Sequence, residues 1–162
     1  MSHRGGGMAV EAVILVGLQG SGKSTFCRER FWGTHLRLNL DMLKSRHRER
    51  LLLAVCVDTN LRFVVDNTNP TRAERAVYIE AVKKIKMRVV GYVFDCPLED
   101  CLRRNDERPD AQRVPHRGVM ATVSRYEAPT MAEGFHELYR VTNDDAGGFG
   151  VAEWPDLGEP RA

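Results

Sequence analysis

The sequence predicts an α/β protein, a parallel sheet of about five strands flanked by helices and carrying a helical lid. Three observations lead there. Short β-rich runs alternate with longer segments of helical period over residues 12–142, which is the pattern of successive β-α units. The first, third and fourth runs are almost continuously apolar, as strands covered on both faces must be. Between the first run and the first helical segment, the apolar residues stop at "GLQGSGKST" (17–25), a stretch of glycines and hydroxyls that exposes bare backbone.

In chain order, the predicted strands are "AVILVG" (12–17), "HLRLN" (35–39), "RFVVDN" (62–67), "RVVGYVFD" (88–95) and "ELYRVT" (137–142). Helices are predicted over 23–31, 41–58, 70–86, 97–107 and 115–127. The helix at 70 has Asn69 as a candidate cap and Pro70 in its first position. Val77, Ala81 and Ile85 form its apolar stripe, with lysines and arginines opposite. Pro115 opens the last helix in the same way, with Val119, Val123 and Tyr126 along one face. The expected organisation is a flexible leader over 1–11, one domain over 12–142 and an acidic tail containing Gly and Pro over 143–162.

Charge is unevenly spread. The chain carries +2 overall, but residues 143–162 hold five acids against one base, a net −4 that leaves +6 on the rest. "KSRHRER" (44–50), "KKIKMR" (83–88) and "RRNDER" (103–108) hold much of that excess. Such runs suit an anionic partner, though most are solvated helix faces. The four cysteines, Cys27, Cys56, Cys96 and Cys101, form no CxxC pair, and they read as reduced thiols of a cytosolic protein. No run reaches transmembrane length, and the first residues lack the apolar core of a signal peptide. A soluble cytoplasmic protein is expected.

Gly17, Gly22, Lys23 and Ser24 match G-x-x-x-x-G-K-[ST] between a strand and a helix. An ordinary turn would not need this combination. In a P-loop, the glycines let successive N–H groups converge on one anion, and the following helix adds its positive end. Gly17, Gly20, Ser21, Gly22, Lys23, Ser24 and Thr25 are therefore the predicted nucleotide-holding residues. Lys23 would reach the β- and γ-phosphates of ATP, and Ser24 would hold Mg²⁺.

Ligands of a parallel sheet collect at the carboxyl ends of its strands. Asp41 and Asp66 sit at two such ends. Asp66 is a candidate metal-holding carboxylate of the Walker-B kind, or else a turn residue before Asn67. Asp41 is either the cap of the helix at 42 or the general base for an acceptor hydroxyl. Arg104 and Arg108, four apart, would share one helix face and grip a phosphate from a lid, or else serve as an exposed ion-paired helix.

"LNLDMLKS", "FVVDNTNPTRAERAVYI", the arginine helix and "YEAPTMAEGF" (126–135) together resemble the kinase domain of the polynucleotide 5′-hydroxyl kinase family. The resemblance runs from about residue 12 to 142. It implies a P-loop kinase-like fold and transfer of the ATP γ-phosphate, with Mg²⁺, to a 5′-OH end of DNA or RNA as partner. It also implies that Asp41 is the base, that Asp66, Asn67 and Thr68 in "DNTNP" face the substrate, and that Arg104 and Arg108 are the lid pair. Thr130 and Glu133 in "EAPTMAEGF" are spaced as a capping box. Two positions depart from the pattern. Leu40 stands where the family tends to carry an arginine for the acceptor's backbone phosphate. Lys44 stands where an arginine flanks the transferring phosphate, supplying charge without the bidentate fork. No DxDxT phosphatase segment is present. The alternatives are a kinase of the same fold acting on a nucleoside, another small molecule or a modified base in DNA, and a nucleotide-binding module without catalysis.

Overall fold

A computed structural model describes residues 10–144 and 146–155. Five runs of β-favouring residues become parallel strands: β1 (Glu11–Val16), β2 (Leu36–Leu38), β3 (Phe63–Val65), β4 (Arg88–Phe94) and β5 (Glu137–Asn143). A sixth, β6 (Phe149–Glu153), pairs antiparallel with β5. The sheet order is β2-β3-β1-β4-β5-β6. The chain leaves β1 for one edge, returns through β3, and crosses β1 to reach β4. The winding therefore reverses at β1, and a crevice opens beyond its carboxyl end.

Both faces of β1 are covered, which is why its sequence is apolar without alternation. Ala12, Ile14 and Val16 face one core, against Leu53 and Cys56 of α3 (Arg46–Thr59) and Tyr78, Ile79 and Val82 of α4 (Arg72–Val82). Val13 and Leu15 face the other, against Phe26, Cys27 and Phe31 of α1 (Lys23–Phe31). Each large aliphatic side chain so buried contributes about 1.5–3 kcal/mol, so β1 is a rigid mount for whatever follows it. No helix among the described residues is long and apolar enough to cross a membrane.

Several expectations need correction. The helix predicted over 41–58 is two: α2 (Leu40–Leu43) and α3, separated by Lys44 at φ 71° and by Ser45, whose Oγ accepts from Arg48 N at 3.2 Å. Hence Asp41 caps nothing; Asn39 is the cap of α2, its Oδ1 accepting from Met42 N at 2.9 Å. At α4 the cap is Thr71, in a reciprocal capping box with Glu74, not Asn69. Of the predicted stripe, Ala81 and Ile85 pack against the core but Val77 is 51 % exposed, and the fully buried face is Arg75, Tyr78, Ile79 and Val82. On α6 (His116–Arg125), Val119 is buried, while Tyr126 lies beyond the helix end and is exposed.

A further correction concerns the tail, whose residues 149–153 form β6. Phe149 packs edge-on to Phe26 at 5.3 Å between ring centroids, and its ring reaches the loop glycine Gly22. Phe149→Ala is expected to cost about 1–3 kcal/mol, less than a fully buried phenylalanine because one side stays wet. A urea midpoint unchanged by the substitution would make the segment dispensable. The expectations for residues 1–9 and 156–162 lie outside the described residues.

Candidate active site

Beyond β1 the chain turns through Gly17–Gly22 and enters α1 at Lys23. Gly17 N donates to Thr68 O at 3.0 Å, which ties the loop to the segment after β3. Gly20 has φ +79°, and a Cβ there would lie 2.3 Å from Cys101 O on α5 (Leu98–Asp106). Only glycine fits both the left-handed backbone and that close approach. Ser21 is fully buried, and Asn143 Nδ2 at the end of β5 donates to its carbonyl at 3.2 Å.

Lys23 folds back over the loop it follows. Its Nζ donates to Leu18 O at 2.7 Å and lies 3.4 Å from Ser21 Oγ. Burial lowers its ammonium to about 8, with the Asp66 carboxylate opposing that shift. A cation held dry among backbone groups, at a helix N-terminus, suits a polyanion.

Asp66, 2 % exposed, ends β3 beside this loop. Ser24 Oγ donates to Asp66 Oδ2 at 3.0 Å. Arg37 on β2 reaches the same oxygen twice, through Nε at 2.9 Å and Nη2 at 2.8 Å, and its Nη2 lies 3.5 Å from Ser24 Oγ. A hydroxyl and a carboxylate at the phosphate end of a P-loop are hard oxygen donors, which fit Mg²⁺.

Asp41 stands in the first turn of α2, and two asparagines fix that turn. Asn39 Nδ2 donates to Asp66 O at 2.6 Å, and Leu40 N donates to Asn67 Oδ1 at 3.0 Å. Asn67 is held in turn by a buried cluster: its Nδ2 donates to Glu49 Oε2 at 3.0 Å, and Tyr78 OH donates to Glu49 Oε1 at 2.6 Å. Arg46 Nη1 donates to Glu49 Oε1 at 3.1 Å. Burial and the facing Glu49 carboxylate push the Tyr78 phenol well above its ordinary value.

Two cavities meet at Asp41. The inner one, about 200 Å³, is lined by Lys23, Ser24, Leu40, Asp66, Thr68 and Arg108 among others. The outer one, about 800 Å³, runs from Ser24 and Thr25 to residues 111–115. Its lining includes Arg28, Arg37, Lys44, Arg108 and Arg113, with Asp41 the one acid. Arg108 and Asp41 border both. Arg104 borders neither cavity, and its Nη1 lies 3.6 Å from Cys96 Sγ. The pair does not share a helix face either, because α5 ends at Asp106 and Arg108 follows it.

Strand order, loop and flanking helices resemble P-loop kinase folds. Residues 39–129, more than half of the chain, match the AAA domain family AAA_33. The chain belongs to that family.

Among proteins similar to this AAA domain is the bifunctional polynucleotide phosphatase/kinase of Schizosaccharomyces pombe, 26% identical over 136 residues, or 81% of this chain. The chain spans about a third (33%) of that relative's length. Chaetomium thermophilum Kti12 in complex with ADP-AlF3 superposes with a TM-score of 0.62 at 17% identity, covering 84% of this chain and 92% of that one. Mycobacterium tuberculosis APS kinase CysC, in complex with AMPPNP and APS, gives 0.56 at 23% identity, covering 83% and 88%. A sugar kinase from Janibacter sp. gives 0.63 at 18%, covering 82% and 84%. At these identities the superpositions show a shared fold.

Sequence reasoning missed Arg37, Asn39 and the Glu49–Tyr78 cluster of this AAA domain. Asn39 had a signal, a capping residue three before Met42. Arg37 and Glu49 had none, since each finds its partner across strands or helices far apart in sequence.

Proposed function

We propose that this protein is an ATP- and Mg²⁺-dependent polynucleotide 5′-hydroxyl kinase. The observation that carries the reading is the position of Asp41. It stands on the rim shared by the P-loop cavity and an outer cavity that five cationic side chains line. A polyphosphate on the loop and a polyanionic acceptor in the outer cavity would meet at its carboxylate. The sequence resemblance and the polynucleotide phosphatase/kinase relative support the same acceptor.

In this reading Asp41 accepts the proton of the 5′-hydroxyl as its oxygen attacks the γ-phosphorus in line, and the bond to the β–γ bridging oxygen breaks to release ADP. Lys23 follows the phosphate charge, and Lys44 and Arg108 neutralise the transferring group. Ser24 and Asp66 would hold Mg²⁺, which supplies further charge neutralisation when bound. Thr68 and Asn67 line or brace the floor beside the acceptor end. Of the two lid arginines, Arg108 already stands at the cavity; Arg104 must rotate away from Cys96 to reach a phosphate.

One observation favours a second reading. Leu40, apolar, lines the inner cavity next to Asp41, a position better suited to a small acceptor without a phosphate there. Incubation with γ-labelled ATP and 5′-OH oligonucleotides, mononucleosides and small alcohols separates the readings. Label is expected in the oligonucleotides. Label in small molecules alone selects the second reading, and no transfer leaves a binding module.

Lys23 adds a pH signature. Its depressed value of about 8 in the free protein must rise once a phosphate pairs with it. Nucleotide binding is then expected to take up a proton above that pH and to weaken by up to about tenfold per pH unit there. Calorimetry in buffers of different ionisation enthalpy measures the uptake. Affinity that stays flat to pH about 9.5 would contradict a phosphate-bound Lys23. For folding alone, stability from Lys23 rises as pH climbs from about 8 towards 10.5, because only the unfolded chain still holds the proton.

A further inference from the structure

The guanidinium of Arg37 contacts both oxygens that would hold a divalent cation. It contacts Asp66 Oδ2 through two nitrogens, at 2.9 Å and 2.8 Å, and comes within 3.5 Å of Ser24 Oγ. Those are the two oxygen donors of the candidate metal site. The Asp66 side chain is 1 % exposed, so a carboxylate there needs a cation. Arg37 supplies it from the edge strand β2, with a side chain still 28 % exposed. The same residue lines the outer cavity beside Arg28 and Lys44. Neither of these has an acid within ion-pairing distance among the described residues.

We propose that Arg37 is an exchangeable cation that pairs with Asp66 in the free protein and, once Mg²⁺ occupies Ser24 and Asp66, turns into the outer cavity to bind a backbone phosphate of the acceptor. This rests on the polynucleotide reading above. It also answers the apolar Leu40, because the phosphate contact missing at that position is provided from the neighbouring strand. The exchange makes binding ordered. Metal and guanidinium compete for one carboxylate, so metal–nucleotide binding releases the arginine that the acceptor needs. Acceptor binding and metal binding must then help each other by the same factor. Arg28 and Lys44 add charge whether or not metal is bound, and so contribute no coupling.

The test measures binding, without turnover. A fluorescein-labelled 5′-OH hexanucleotide is titrated with the whole protein in the presence of a non-hydrolysable ATP analogue, with and without Mg²⁺. Wild-type protein is expected to bind the probe about five- to tenfold more tightly with Mg²⁺. Arg37→Gln is expected to abolish that difference and to raise the affinity of the analogue-bound protein for Mg²⁺ itself by several-fold. Arg37→Lys guards against loss of fold, since it leaves a cation beside Asp66. It is expected to keep most of the Mg²⁺ affinity of wild type while losing much of the coupling, for want of the fork. If the hexanucleotide binds wild type equally with and without Mg²⁺, or if coupling survives in Arg37→Gln, the exchange is overturned and the polynucleotide reading stands. If wild type binds no hexanucleotide under either condition, that reading falls and the acceptor role of Arg37 falls with it.

Discussion

Asp41→Asn is expected to reduce phosphoryl transfer by about 10²–10⁴-fold while ATP binding stays within about twofold of wild type. Asparagine matches aspartate in size and keeps the α2 turn, whose cap is supplied by Asn39, but it cannot take up the proton of an attacking hydroxyl. The nucleotide side should be indifferent, because Lys23, Ser24 and the loop amides belong to other elements. Single-turnover transfer of γ-label and equilibrium binding of a fluorescent ATP analogue measure the two halves separately. Transfer within threefold of wild type would remove Asp41 from the base role. An equal loss in both assays would instead point to collapse of the α2 turn.

The second large effect lies away from the chemistry. Arg75 is fully buried, and its guanidinium makes four hydrogen bonds: Nε and Nη2 to the two oxygens of Glu133 at 2.8 and 3.1 Å, and Nη1 to Asn69 O and Pro70 O at 3.0 and 3.1 Å. Glu133 Oε2 also accepts from Thr130 N at 2.8 Å. One ion pair thus joins "DNTNP", which lies beside the P-loop, to "EAPTMAEGF", 58 residues from Arg75 to Glu133 along the chain. Arg75→Met leaves the buried Glu133 carboxylate with the Thr130 amide but no counter-ion, and removes the side-chain donor to the Asn69 and Pro70 carbonyls, so it should cost about 3–5 kcal/mol. Glu133→Gln, which leaves the arginine uncompensated, should approach the same loss. A domain holds only about 5–15 kcal/mol in all, so either loss is a large share of the total and should lower the urea midpoint markedly. The double variant Arg75→Met, Glu133→Leu removes both charges and should lose less than the two single losses added together. Urea denaturation of the three variants measures the coupling. Additive losses would mean that the pair does not act as a unit.

What could be read from the sequence follows from how far each signal travels along the chain. The apolar run of β1 and the glycines and lysine after it are contiguous, and local chemistry is enough to make them a strand and a loop of the P-loop kind. Asp41 was visible as an acid at a strand end, though that it is not the helix cap shows only once Asn39 is seen in that place. Lys44 was hidden. A lysine in the left-handed region carries no local mark, so α2 and α3 read as one helix, although Ser45 three residues before Arg48 has the spacing of a cap. β6 was hidden for a different reason. Its residues are mostly exposed, and an edge strand with one face in water shows little apolar pattern. The segments carrying the family resemblance turn out to be joined through Arg75 and Glu133, so at least part of their particularity is structural. Arg37 is the sharpest omission: an arginine in an edge strand looks like surface until Asp66 and Ser24 are placed beneath it.

A crystal structure of the protein with a non-hydrolysable ATP analogue, Mg²⁺ and a short 5′-OH oligonucleotide tests the account where it is most exposed. The terminal 5′-oxygen is expected within about 2.6–3.2 Å of an Asp41 carboxylate oxygen, and about 3–3.5 Å from the γ-phosphorus on the side opposite its leaving oxygen. An Asp41 carboxylate turned to bulk solvent, with the oligonucleotide end bound away from the outer cavity, would contradict it.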